Sequence, residues 1–211
     1  ESVKIKIIRV DFIGAQAFKE KKLRKVIKTR AHWMWSWLTG SGKFKDDQFQ
    51  EDRERLAEFY REKGYIDFEI KDVQFEFPTP TSMIIKFTIY EGQPYKVGAV
   101  SFEGTTMFPT NALSPKASLG KLPKNPAEQR AWYEQRLMNQ AFPMKEGSTF
   151  TAKGMAKDIE AVQAFYGSKG HIDVEPGTGN LNVARVANTE KGTMDLHFKV
   201  EEGQKSYVEK I

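Results

Sequence analysis

The stretch Phe59-Tyr60-Arg61-Glu62-Lys63-Gly64-Tyr65-Ile66-Asp67-Phe68 returns later in the chain as Phe165-Tyr166-Gly167-Ser168-Lys169-Gly170-His171-Ile172-Asp173-Val174. A sequence that carries one junction twice is a tandem repeat, and each copy must build its own core around that junction. In both, a helical period of apolar residues ends in Phe-Tyr, stops at Lys-Gly and passes into a strand start. The glycine supplies the stop, because the residue just past a helix end often takes positive φ, which costs glycine little and a β-branched residue much more. A length of 211 residues suits two cores of about 100 residues better than one.

The first copy opens on a strand over residues 4–12, with Ile8, Val10 and Phe12 expected on one face and Ile5 and Ile7 partly buried on the other. Gly14 ends it. A helix over 18–30 follows, with Phe18, Leu23, Val26 and Ile27 inward and Lys19, Lys21, Lys22, Arg24, Lys25 and Lys28 around the rest. Residues 33–38, which contain Trp33, Trp35 and Trp37, fit neither period and read as an aromatic turn. Asp46 or Asp47 caps a second helix through Phe49, Leu56, Phe59 and Tyr60. Val73, Phe75 and Phe77 then alternate with polar residues in a strand and are expected to pack in the core on one face. Pro78-Thr79-Pro80-Thr81 turns the chain into a third strand, whose Ile85, Phe87 and Ile89 share a face and which ends at Glu91-Gly92-Gln93.

The second copy repeats this order. Val100-Ser101-Phe102-Glu103-Gly104 matches Val10-Asp11-Phe12-Ile13-Gly14, and the last strand, with Met194, Leu196, Phe198 and Val200 inward, ends in Glu202-Gly203-Gln204. An insertion between Ser114 and Glu146 carries a helix with Trp132, Tyr133, Leu137 and Met138. The expected domains are 1–93 and 94–205, the second with its insertion near 114–146, and 206–211 read as the start of a further strand. The fold class is α+β: two tandem β-α-α-β-β units, each a three-stranded mixed sheet with two helices on one face. The two strands joined by the Pro-rich turn form an antiparallel hairpin, and the first strand, reached through helices, joins parallel.

Composition excludes more than it selects. With no cysteine there is neither disulfide nor thiolate metal site, and His32, His171 and His197 lack metal-ligand spacing. No Gly-x-Ser-x-Gly, phosphate loop or dinucleotide fingerprint occurs, so neither catalysis nor a cofactor is expected. No run of about 18 apolar residues is present to cross a membrane as a helix. The formal charge of +5 and pI near 9.2 make a single-stranded nucleic-acid-binding module, using basic and aromatic surface, the alternative reading. Gly40-Ser41-Gly42 has the wrong spacing for the Gly-x-x-Gly loop of KH domains, and nucleic acid is not the expected partner.

These residues carry a resemblance. A β-α-α-β-β unit with Phe-x-Gly after its first strand (Phe12 to Gly14, Phe102 to Gly104), Tyr-x-x-Lys-Gly-x-Ile-Asp after its second helix and Glu-Gly after its third strand resembles the POTRA domain. Such domains form the periplasmic string of outer-membrane assembly factors of the BamA type. The Trp-rich segment followed by Gly-Ser-Gly-Lys-Phe makes the units most similar to the third and fourth of that string. Ala15 and Thr105 stand where the family commonly has Asn after the first glycine. The resemblance implies a scaffold or chaperone-like role at the periplasmic face of the bacterial outer membrane. Its partners are unfolded outer-membrane proteins and accessory lipoproteins, with the membrane reached through a C-terminal barrel absent from this chain.

The second strand of each unit is expected at a sheet edge, where unpaired N–H and C=O groups can accept an extended peptide. The residues expected to form this site are Phe68, Ile70, Asp72, Val73, Gln74, Phe75, Glu76 and Phe77 in the first unit and Leu181, Val183, Arg185 and Ala187 in the second. Trp33, Trp35 and Trp37 are candidate surface contacts, since aromatic residues serve both interfaces and local packing.

Overall fold

The computed structural model describes residues 5–29, 31, 46–107, 121–177 and 179–207. The chain divides into two compact units, Glu1–Gln93 and Pro94–Ile211. In the first, β1 (Lys6–Ile13) leads through α1 (Glu20–Val26) and α2 (Asp46–Arg61) to β2 (Glu69–Thr79) and β3 (Ser82–Tyr90). In the second, β4 (Lys96–Glu103), α3 (Pro126–Ala141), α4 (Ala152–Ser168), β5 (Leu181–Asn188) and β6 (Thr193–Val200) follow. The sheets have the orders β1-β3-β2 and β4-β6-β5. The last strand of each unit is thus central, parallel to the first strand and antiparallel to the second.

The central strands read as anticipated. Met83, Ile85, Phe87 and Ile89 are buried in one, and Met194, Leu196, Phe198 and Val200 in the other. Against β3 pack Val10 and Phe12 from β1, Leu23 and Ile27 around α1, and Phe49, Leu56 and Tyr60 from α2. Burying a side chain of this size contributes about 1.5 to 3 kcal/mol, so these residues fix which face of each element turns inward.

Both repeated junctions close in the same way. Tyr65 donates its N–H to the carbonyl of Tyr60 (3.1 Å) and Gly64 to that of Arg61 (3.1 Å). In the second unit His171 donates to Tyr166 (3.0 Å) and Gly170 to Gly167 (3.1 Å). This paired closure requires a left-handed residue, and Gly64 and Gly170 both have φ of +91°. The flanking side chains meet edge to face, Tyr60 on Tyr65 at 5.7 Å and Tyr166 on His171 at 5.9 Å.

The buried tyrosine at each junction is then clasped by a carboxylate from the end of the central strand. Glu91 accepts the Tyr60 hydroxyl (2.7 Å) and the N–H groups of Gln16 and Ala17 (both 3.0 Å). Glu202 accepts the Tyr166 hydroxyl (2.9 Å), the Thr106 N–H (2.7 Å) and the Thr106 hydroxyl (2.8 Å). Burial and the adjacent carboxylate push both phenols well above their ordinary range, so they stay protonated donors. Burial works against the charge of Glu202, but bonds from Thr106, Tyr166 and Thr105 outweigh it and hold this carboxyl below its usual value. Its contribution to stability is present above the ordinary carboxylate pKa and is lost as pH falls through the lowered folded value.

Three expectations are corrected. Ile8 is 46% exposed and Ile7 is buried, because the register of β1 on β3 shifts between Ile7 and Arg9 and the extra residue turns Ile8 out. Phe75 and Phe77 are not enclosed: Phe75 is 39% exposed and meets Phe49 at 5.5 Å, while Phe77, nearer the hairpin turn, is 54% exposed. Both lie on an outer strand, which has neighbours on one side alone. Finally, α1 is shorter than its apolar period suggested. The amides of Lys28 and Thr29, which a longer helix would turn to its own carbonyls, are taken by the buried carboxylate of Asp52 at 2.5 and 2.7 Å.

Asp158 occupies the same place in the second unit and is equally buried, but the chain over it reads Phe142-Pro143-Met144 instead of Ile27-Lys28-Thr29. Proline has no N–H to give. Met144 supplies one bond, at 3.4 Å, and the Oδ2 atom of Asp158 has no hydrogen-bond partner among the described residues. Burial raises its pKa to about 7 against the opposing effects of the Met144 N–H and Lys145.

Two outcomes follow from these contacts. Glu91→Ala strands three donors and should lower amide-exchange protection in β1, β2 and β3 by about 2 kcal/mol while leaving β4 to β6 unchanged. A carboxyl with a raised folded pKa binds its proton more tightly in the native state. Stability of the second unit should therefore fall as pH rises from about 4 to about 7, and Asp158→Asn should flatten that slope in urea titrations.

Candidate functional site

Among the described residues, each sheet leaves its second strand with a neighbouring strand on one side. In β2 the register pairs Val73 with Phe87 and Phe75 with Ile85 on the helix-covered face, and Asp72, Gln74 and Glu76 with Thr88, Lys86 and Ile84 on the open face. Irregularities lie between Ile70 and Asp72 and between Glu76 and Thr79, so the continuous part of this edge is Asp72 to Glu76. The N–H of Val73 is held by the Asp72 carboxylate at 2.8 Å. Alternation along the strand then turns the N–H of Phe75 outward as well.

The edge formed by β5 is longer, with uninterrupted register from Leu181 against Val200 to Asn188 against Thr193. Its start is partly closed by a bridge between Leu181 and Pro176. Leu181, Val183, Arg185 and Ala187 share the helix-covered face; Val186, on the other, is 51% exposed.

The opposite margins of the two sheets are less accessible. In the second unit a strip beside β4 pairs with it: Val97 donates to Ser148 (2.8 Å), Gly147 to Val97 (2.8 Å) and Phe150 to Tyr95 (2.9 Å). On β1 the Arg24 guanidinium occupies the carbonyl of Val10 at 3.0 Å. These coverings have no short sequence signature, and sequence reasoning did not see them.

The expected site residues are distributed unevenly. Phe68 lies in the core, before β2, and stacks on Tyr60 at 4.2 Å. Leu181 is 2% exposed, so these two can contribute little beyond main chain. Ile70, Val73 and Val183 are half-buried; Asp72, Gln74, Glu76, Arg185 and Ala187 are exposed with Phe75 and Phe77. Trp33, Trp35 and Trp37 lie outside the described residues. Among the histidines, His171 is buried with Nδ1 against the carbonyl of Glu202, and His197 meets Ser101 at 2.6 Å on an exposed sheet face. Among the described residues no three His, Asp or Glu side chains form a metal-binding group.

The POTRA family model, described as surface antigen variable number repeat, matches residues 5–92 and again 95–203. The chain belongs to the POTRA family. It is 30% identical to the outer membrane protein assembly factor BamA of Neisseria meningitidis serogroup B, over 100% of this chain and 23% of that protein. To BamA of Nitratidesulfovibrio vulgaris it is 21% identical, again over 100% of this chain and 23% of the relative. The two POTRA units thus span less than a quarter of the length of these relatives. Among solved structures, POTRA3-5 of Haemophilus influenzae BamA is similar with a TM-score of 0.57 and 16% identity, covering 95% of this chain and 67% of that one. BamA from Haemophilus ducreyi lacking POTRA domains 1-3 gives a TM-score of 0.54 and 13% identity, over 94% of this chain and 29% of the other. These two likenesses establish the POTRA fold.

The exposed positions of β2 should be dispensable for folding. Phe77→Ala is expected to cost under about 1 kcal/mol, whereas Phe87→Ala, in the same sheet but buried, should cost about 3 to 5 kcal/mol; urea unfolding of the two variants measures the difference.

Proposed function

We propose that this POTRA pair is a periplasmic module of an outer-membrane β-barrel assembly factor, and that it holds unfolded barrel proteins and accessory outer-membrane lipoproteins by strand addition at β2 and β5. The observation that carries the reading is the recurrence, in both units, of a second strand with no strand beyond it among the described residues. Similarity along the whole of this chain to part of proteins named as outer membrane protein assembly factors supports the setting. The Trp-rich segment 33–38 favours the third and fourth positions in such a string.

The energetics suit a carrier. Four or five added backbone bonds at about 1 kcal/mol each are set against about 1 to 2 kcal/mol for each residue of peptide that becomes ordered. Each edge alone binds weakly and tolerates many sequences, and linked edges gain by raising the local concentration of a client already held. Such a module acts by binding and needs no catalytic group.

The test is a titration of the isotope-labelled chain with a nine-residue strand peptide from an outer-membrane barrel. Amide shifts should concentrate on Glu69–Thr79 and Leu181–Asn188. Methylating alternate peptide nitrogens, which removes the donors for one ladder edge, should abolish them. Shifts that avoid both strands, or that survive methylation, overturn the reading.

A further inference from the structure

Strand addition brings side chains of guest and host opposite each other on both faces of the sheet, at cross-strand distances where opposite charges attract and like charges repel. The two edges differ in what they present there. On β2 the helix-covered face offers the part-exposed ring of Phe75, and the open face offers Asp72, Gln74 and Glu76. Glu76 is paired with Lys86 on the inner strand. Asp72 accepts from the Val73 N–H and from Gln74 Nε2, and no cation is paired with it among the described residues. On β5 the open face carries Asn182, Ala184, Val186 and Asn188, with no acidic residue.

We propose that the β2 edge selects extended segments whose alternate side chains are apolar and cationic, with the apolar set laid along Phe75 and a cation facing Asp72. This rests on the strand-addition reading above and gives it a specificity that β5 does not share. The local preference runs against the charge of the whole chain. With a formal charge of +5, unspecific attraction would favour an acidic peptide, so a preference for a basic one must arise at the edge itself. Asp72 is the centre of this selectivity. Its carboxylate occupies the edge amide of Val73 in the free protein, and an arriving cation gives it a new partner as the guest strand takes that amide.

Three capped nonapeptides, alternating Val with Lys, Val with Glu and Val with Ser, separate the possibilities when titrated against the intact 211-residue chain at low salt. At the β2 amides the Val/Lys peptide should bind about ten-fold tighter than Val/Glu, with Val/Ser between them. At the β5 amides that order should be absent. Asp72→Asn should shrink the β2 ratio to about three-fold or less without weakening Val/Ser. Equal affinities of all three peptides at β2, or the same basic preference at β5, would overturn the charge selectivity and leave strand addition standing. Failure of every peptide to shift either strand would overturn both.

Discussion

The carboxylate that ends the central strand of each unit is where sheet, loop and helix are fastened together. Glu91 and Glu202 each hold a buried tyrosine from the end of a long helix and the backbone just after the first strand. Three elements far apart in sequence therefore share one negatively charged centre, and charge-assisted bonds are the stronger kind. The left-handed glycine closes the helix end beside this clasp, and the strand that follows lies on the outer side of the sheet.

Much of that architecture was legible because it is periodic or local. Ile85, Phe87 and Ile89, and likewise Met194, Leu196, Phe198 and Val200, alternate with period two and occupy the faces expected of them. The helix stops at Gly64 and Gly170 were legible from the chemistry of one residue. What was not legible depended on distant partners. No local pattern reveals the register shift that turns Ile8 outward, since it arises only when β1 meets β3. Phe75 and Phe77 have the alternation of a core strand, and their exposure follows from the strand's place at the margin. The Glu-Gly pairs were visible as repeats, but the role of their carboxylates was hidden, because the backbone donors they bind belong to residues more than 70 positions away.

Comparison of the units within one chain shows what the fold requires and what it leaves open. The clasp and the glycine closure are kept in both. The buried carboxylate of the second helix is also kept, yet Lys28 is answered by Pro143, and one oxygen of Asp158 loses its donor. The outer strands differ too, one bearing phenylalanines and acids, the other arginine, alanine and asparagine. The residues that hold each unit together thus recur, while those along its outer strand differ between the two copies.

The strand at the centre of each sheet is also the last to appear in the chain, Ser82–Tyr90 in one unit and Thr193–Val200 in the other. The first and second strands do not touch each other and meet only through it. During synthesis, the first two strands of a unit must therefore wait without a sheet until its final segment arrives. Each sheet can close only once its own last strand, nine residues in one unit and eight in the other, has emerged, and neither sheet borrows a strand from the other unit.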